Sequence, residues 1–473
     1  MCDEIFIGDA LVVFPYRMLS YLIHNRPSFL YIIKNYSVMK KSLEVVHPHA
    51  AGIDIGSRSF YVDAGEENIR IFPTFTEDCH ALRAYLQSCG VTTVAMESTG
   101  VYWVVLYSVL EEAGIDVYLV NGRDVKNLPG RKSDVKDCQW LRQLHSYGLL
   151  RKSFIPENNI RTVRSYLRLR QDHIRASATQ VNLMQKALTQ MNIRLAEVIS
   201  DITGASGLKI LEAIVKGERN PETLLSMCVS QLKEKKGDQI IKSLQGHYRL
   251  EHLFALRQAL DTWHYYNKLI VECDSEIAKQ LELMTKDKDD IDSQNPRKPI
   301  RYNKPQIENL HKPLLKLSEG KDPINIAGIT DYSFLQIMSE VGTDMSPWKT
   351  EKHFTSWLKV APMRASSGKM SKRITMKRHN NAGQLFRNIA QGILTSKHLA
   401  LGAFGRRIRA RRGSGVAIKA TARKIATYYY RVMTQGTEFV EKGIEKYEQS
   451  IKEQQLKRLG RMALKHNLQL VQI

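Results

Sequence analysis

Four carboxylates in this 473-residue chain have the types and spacing to hold a metal ion. Asp54 lies in GIDIG, flanked by glycines that let another chain or a phosphate come close. Glu97 ends the apolar run VAMES, where a carboxylate is costly to bury unless it is paired or binds a cation. Asp134 and Asp137, in RKSDVKDCQWL, fall on one face of a helix, where like charges repel and a divalent cation relieves them. Oxygen ligands of this kind suit Mg²⁺, and two such ions can activate an attacking oxygen and stabilise a leaving one in phosphoryl transfer. Each residue also has a plainer reading: Asp54 as a turn former, Glu97 as a strand-end charge, Asp134 with Asp137 as a solvated helix face. Their order and the elements that carry them together favour a metal site.

Such a set needs a rigid frame. AAGIDIGSRSFYVDAG reads as a strand, a turn at Gly56 and Ser57, and a second strand, with a third near NIRIFPTFT. A polar helix from about Thr76 to Ser88 leads to the strand VTTVAMES; VYWVVLYSVLEEAG reads as a helix stopped by Gly114, DVYLVN as the next strand, and helix resumes from Asp124. Antiparallel strands followed by alternating helices and strands predict an α/β domain with a mixed sheet over residues 47–157. From 158 to 284, apolar residues at helical spacing among many charges predict long helices that could pair as an antiparallel coiled coil, within or between subunits. Residues 285–322, polar and broken by prolines, read as a linker or exposed loop. A mainly helical domain follows over 323–437, then a charged terminal helix over 438–473. Residues 1–46 show no clean period and read as a leader dispensable to the fold.

The chain has 70 Lys and Arg against 48 Asp and Glu, a net charge of +22 and a pI near 9.6, which points to polyanionic partners. From Lys352 to Thr437 there are 19 Lys or Arg and no Asp or Glu. An ordinary solvated face mixes both signs, so nucleic-acid binding explains this segment better. Arg406, Arg407, Arg409, Arg411 and Arg412 form the tightest cluster, suited to phosphate contact. A chain 43% hydrophobic and 25% charged is neither collagen-like nor disordered. Six scattered cysteines with no CxxC pair argue against a disulfide framework or structural zinc. Asp3 and Glu4 stand where a signal peptide carries Lys or Arg, and Pro15, Arg17, His24 and Arg26 interrupt the apolar stretch behind them. Neither a signal peptide nor a membrane span is expected there, and the protein is expected to stay in the cytoplasm.

AAGIDIGSRSFYVDAG, VAMESTGVYW and GRKSDVKDCQWLRQL resemble the three acidic blocks of the DEDD transposases of the insertion sequence 110 family. The resemblance implies a RuvC-like, RNase H-type N-terminal domain in which Asp54, Glu97, Asp134 and Asp137 form the catalytic, metal-binding tetrad, with Mg²⁺ as cofactor. Downstream, APMRASSGKMSKRITMKRHNNAGQLFRNI resembles the family's second signature. It implies Ser367 as the nucleophile of a transient phosphoserine link to DNA, with Gly368 allowing close approach of the backbone. Arg364, Lys369, Lys372, Arg373, Lys377 and Arg378 surround that serine with charge to hold a scissile phosphate, help that a poorly nucleophilic hydroxyl needs. Ser-Ser-Gly is otherwise a turn former, and Ser366 is an adjacent rival. INIAGITDYSFLQIMSEVG resembles the family's helix-hairpin-helix-like segment, although AGIT lacks the second glycine of a GIG turn, and a capped helix pair packed on its neighbour reads it equally well. The resemblance spans about Val46 to Gly436.

It implies a transposase or recombinase that cuts and rejoins DNA to move its own insertion sequence. Its partners would be donor and target DNA, a structured guide (bridge) RNA and further copies of the chain in a dimer or tetramer, at the nucleoid of a prokaryotic cell. Two other classes stay open: a RuvC-like structure-specific nuclease using the tetrad and water alone, and an inactive relative that binds nucleic acid without Mg²⁺. Tyr428, Tyr429 and Tyr430 raise a tyrosine nucleophile. Consecutive helix positions point in different directions, however, so at least one of the three is expected in the core.

Overall fold

The computed structural model describes residues 2–7, 10–15, 44–65, 69–122, 134–291, 298–300, 302–362, 364–367, 370–373, 380–436 and 444–466. They form two compact units, Met1–Phe154 and Ile155–Ile473. Among the described residues, no helix is long and apolar enough to cross a membrane.

The first unit opens with an antiparallel hairpin, β1 (Cys2–Ile7) and β2 (Ala10–Pro15), inside the stretch read as a leader. Its core is a five-stranded sheet. β3 (Ala50–Ile55), β4 (Ser59–Asp63) and β5 (Arg70–Pro73) form an antiparallel meander; β6 (Thr93–Glu97) and β7 (Asp116–Val120) add in parallel on the other side of β3, giving the order β5-β4-β3-β6-β7. Central β3 and β6 are buried on both faces, which is why they read as near-continuous apolar runs. Helices α1 (Thr76–Ser88) and α2 (Trp103–Glu112) pack on each other through apolar stripes that include Leu82, Leu86, Leu106 and Leu110. Helix α3 (Asp134–Ser146) lies on the face of β3, β4 and β6 that carries Gly52 and Ala95. A meander of three strands continued by two parallel ones, with helices, is the RNase H-like arrangement. The expected restart of helix at Asp124 lies outside the described residues as far as 133.

The second unit is mostly helical. Helices α4 (Asn158–Gln190) and α9 (Leu250–Thr285) run antiparallel, with Arg170 meeting Asp274 and Ser177 meeting Asn267. The antiparallel pair therefore forms within one chain. Four short helices between them, α5 (Leu195–Val198), α6 (Ala205–Val215), α7 (Pro221–Ser226) and α8 (Ser230–Leu244), bury Ile210, Ile214, Leu224 and Ile240 against Met184, Leu188, Leu256 and Leu260 at the end of the pair. The stretch read as a linker contains helix α10 (His311–Leu317). A 3₁₀ turn at Pro323–Asn325 follows, and then α11 (Asp331–Val341), closed at its start by a capping box of Thr330 and Ser333. In the AGIT turn, Gly328 has φ +84° and sits against Ile389 and Ile393, where a Cβ would be 2.7 Å from Ile393 Cδ1. Helices α12 (Glu351–Trp357), α13 (Asn381–Thr395), α14 (Ala400–Arg412) and α15 (Ser414–Gln435) complete the core around Phe334, Phe354, Phe386 and fully buried Tyr429. Tyr429 is thus the core member of the tyrosine triplet, and Tyr430 donates its hydroxyl to Trp348 O at 2.6 Å. Helix α16 (Ile444–Lys465) ends the described chain.

Two buried charge clusters organise this unit. Arg170 binds Asp274 through Nε and Nη2 at 2.5 and 3.2 Å, Tyr332 Oη through Nη1 at 2.8 Å and Asn303 O at 3.1 Å, while Gln306 N donates to Asp274 at 3.0 Å. Breaking such a pair from one side leaves a buried charge uncompensated, at about 3–5 kcal/mol. His311, 4% exposed, has Nδ1 2.9 Å from Asp331 Oδ1 and Nε2 3.4 Å from Asp322 Oδ2. Burial works against its charged form, but hydrogen bonds and attraction from the two aspartates outweigh it and raise its pKa from 6.5 to about 9. Its contribution to stability is therefore full below pH 6.5 and lost as pH rises through about 9. Thermal unfolding of His311→Gln should accordingly show a larger deficit from wild type near pH 6 than near pH 9.5; equal deficits would contradict the charged assignment.

Candidate active site

Ile53 of β3 pairs in parallel register with Met96 of β6, so the next residues, Asp54 and Glu97, follow on neighbouring strands and point to the same face. Strand spacing sets their backbones about 4.8 Å apart. Gly52 and Ala95, two residues earlier on each strand, share that face and meet α3. The sheet thus delivers two half-buried carboxylates to the side where α3 begins, with half-buried Asp137 in the first turns of that helix. Asp134 is the first residue of α3, and its side chain lies outside the described residues. Among the described residues, no group of three or more His, Cys, Asp or Glu side chains is spaced to hold a metal ion. The donor set is nonetheless all carboxylate oxygen, as a hard divalent ion requires.

Glycines set the distances. A Cβ on Gly52 would stand 2.2 Å from Cys138 O and 2.4 Å from Arg142 N, so helix and strand meet backbone to backbone there. A Cβ on Gly122, just past β7, would stand 2.0 Å from Glu97 Oε1, so that glycine makes the room the carboxylate occupies. Between the acids lies Cys138, wholly buried, its thiol donating to Val135 O at 3.1 Å. Burial pushes this thiol up to about 12, helped by the negative charges of Asp63 and Asp54, which makes it an inert packing group. Arg142 places Nε 2.9 Å from Oδ2 of buried Asp63, whose Oδ1 accepts from Gly65 N at 2.9 Å. Sequence reasoning missed Asp63, Arg142 and Gly122. An acid inside the apolar strand SFYVD was the available signal for the first; nothing local marked the other two.

The second set of sites lies in the helical unit. Strands β8 (Arg364–Ser367) and β9 (Met370–Arg373) form an antiparallel hairpin in which Ser367 pairs with Met370 and Ser366 with Ser371. Ser367 is therefore the strand residue at the hairpin's end, with Ser366 one register position further from the turn. Arg364, Lys372 and Arg373 stand on the same two strands, with side chains outside the described residues; Gly368, Lys369, Lys377 and Arg378 lie wholly outside them. On α14, Arg406 donates to Ser396 O, so one of the five arginines works partly inside the fold. Arg409, Arg411 and Arg412 are exposed. Arg407, Arg411 and Arg412 join Arg458 of α16 around a groove of about 410 Å³ whose apolar lining includes Phe404, Ile408 and Ile451.

Two family models match the chain: that of the DEDD transposases of the IS110 family over residues 51–193, and that of the transposase IS116/IS110/IS902 family over residues 324–400. The chain carries two segments of IS110-family DEDD transposases. It is accordingly a DNA-processing enzyme whose substrates are DNA. The first match contains Asp54, Glu97, Asp134 and Asp137, and the second contains Ser367. No curated protein matches the chain.

The glycine contacts yield a test of this transposase's acidic face. Gly122→Ala should leave the melting temperature within a few degrees of wild type while cutting DNA strand cleavage at least about tenfold, because it displaces Glu97. Gly52→Ala should instead lower the melting temperature, at about 1–3 kcal/mol for a methyl forced into a filled contact. Circular dichroism melts read beside a cleavage assay separate the two outcomes; full cleavage by Gly122→Ala would contradict the placement of Glu97.

Proposed function

We propose that this transposase cuts and rejoins DNA through a composite site made of the Asp54, Glu97, Asp134 and Asp137 carboxylates and the Ser367 hydroxyl. The observation that carries the reading is the delivery of Asp54, Glu97 and the start of α3 to one face of the RNase H-like sheet. The four carboxylates would hold Mg²⁺. When bound, the ion neutralises charge gathering on the phosphate oxygens and favours the oxygen nucleophile over its protonated form. In the first step Ser367 Oγ bonds to the phosphorus, the serine proton is released, and the deoxyribose oxygen leaves and takes up a proton. In the second, a strand hydroxyl attacks the same phosphorus and Ser367 recovers its proton. Arg364, Lys369, Lys372, Arg373, Lys377 and Arg378 hold the scissile phosphate.

A second copy of the chain completes the site, the acids of one subunit serving the serine of another in a dimer or tetramer. Exposed Leu169, Leu183, Phe254 and Tyr265 on the α4–α9 pair support such an assembly. A structured guide RNA pairs with donor and target DNA, so base pairing carries sequence choice while the protein reads backbone and shape. The groove with Arg407, Arg411, Arg412 and Arg458 suits a phosphate backbone of either nucleic acid.

The reading is tested by incubating the protein with Mg²⁺, the RNA from its element's end and matching donor and target DNA, then mapping covalent protein–DNA adducts. An adduct on Ser367 that is lost in both Ser367→Ala and Asp54→Ala is the expected result. Strand cleavage without any adduct would replace it by a metal-dependent nuclease that uses water.

A further inference from the structure

The chain enters helix α2 through apolar residues that face water. Val101 is 74% exposed, Tyr102 50%, Val104 44% and Val105 54%, whereas Leu106, Tyr107, Val109 and Leu110 further along the helix are buried. A contiguous exposed apolar patch of this kind marks an interaction site. Tyr102 has a firm backing. Gly100, at φ +55°, lies against its ring, and a Cβ placed there would stand 3.5 Å from both Cδ2 and Cε2. The loop that carries the two is pinned at the end of β6, where Ser98 N donates to Val120 O at 3.0 Å and Thr99 N to Glu97 O at 2.9 Å. From Ser98 to Leu110 the chain has no charged side chain.

The patch lies at the end of the sheet that carries the acids. β3 and β6 are parallel, so the turn after Asp54 and the loop after Glu97 leave the same end. In the sheet order, exposed Arg58 of the β3–β4 turn stands on one side of these acids, and α2, which packs on β7, stands on the other. Tyr102 is five residues after Glu97, at most about 17 Å of chain, a span of about five stacked nucleotides of one strand.

We infer that Tyr102 stacks on an unpaired base of the DNA strand being cut, within a few nucleotides of the scissile phosphate. A strand laid across this end of the sheet meets Arg58, which suits its phosphates, then the acids, then an uncharged aromatic surface, which suits a base. Stacking of this kind is tolerant of sequence because every base has a π-face, and it selects an unpaired base because in a duplex that face is covered by the neighbouring pairs. A second copy of the chain seated on the patch would instead cover the end of the sheet at which the strand has to arrive. The inference rests on the proposed cleavage at the Asp54 and Glu97 face.

Photocrosslinking of the full-length protein tests it, with DNA single strands that carry 5-iododeoxyuridine, a base that joins covalently to a stacked aromatic ring on irradiation, followed by peptide mapping. The cross-link should map to residue 102 in wild type and in Tyr102→Phe, and should be lost there in Tyr102→Ala, whose melting temperature and mass in solution stay those of wild type. The same sequence as a full duplex should give about a tenth of that cross-link or less. Cross-links elsewhere with none at Tyr102, equal yields from duplex and single strand, or a Tyr102→Ala variant that changes oligomeric state while binding and cross-linking DNA as wild type does, each overturn the inference alone. Failure to bind any strand overturns it together with the proposed function.

Discussion

Helix α3 lies against β3 with no side chain between them at Gly52, where any Cβ would enter the helix backbone. That approach fixes the height of the helix above the sheet, and with it the position of Asp137 relative to Asp54 and Glu97. Asp54 is two residues along the same strand, Glu97 stands beside it on the parallel neighbour, and Asp134 and Asp137 open the helix itself. The Arg142–Asp63 ion pair and the backbone bonds from Val46 and His47 to Ser146 O hold the far end of α3 in place. In the proposed site these carboxylates would repel one another, and a hard divalent ion is the chemical partner that would relieve them.

The helical unit meets a different constraint. Its surface must stay strongly basic to hold nucleic acid, so its buried charges have to be neutralised locally. The Arg170–Asp274 pair does this between the two long helices and ties them to Asn303, Gln306 and Tyr332. His311 does it between Asp322 and Asp331. With those charges matched inside, Arg409, Arg411 and Arg412 of α14 stay exposed on the surface.

Much of the N-terminal unit was legible in the sequence because its elements carry local signatures. Thr76–Ser88 is a helix with the expected bounds, since Cys79, Leu82, Leu86 and the first-turn acids Glu77 and Asp78 mark its face and its start. The alternation around Asp54 and the apolar run ending at Glu97 gave two strands of the sheet in the right order. What stayed hidden depends on contacts between distant residues. Gly122 has no local reason to matter until Glu97 is seen against it, and Arg142 reads as an ordinary helix charge until Asp63 meets it. The helix His311–Leu317 was hidden for the same reason: its seven residues follow a polar, proline-broken stretch, and burial of Leu314, Leu315 and Leu317 in the tertiary core supports it. Irregular heptads in the long helices reflect the four-helix cluster at the end of the pair, which takes Met184, Leu188, Leu256 and Leu260 out of a simple two-helix seam.

Whether the acidic face holds a divalent ion is open to direct measurement. Mn²⁺ titrated into the full-length protein, with the free ion followed by electron paramagnetic resonance, should be taken up at a site from which Mg²⁺ displaces it. Asp54→Asn and Glu97→Gln should each lose that uptake while keeping the wild-type melting temperature. Undiminished Mn²⁺ binding by both folded variants would contradict a metal site on this face of the sheet.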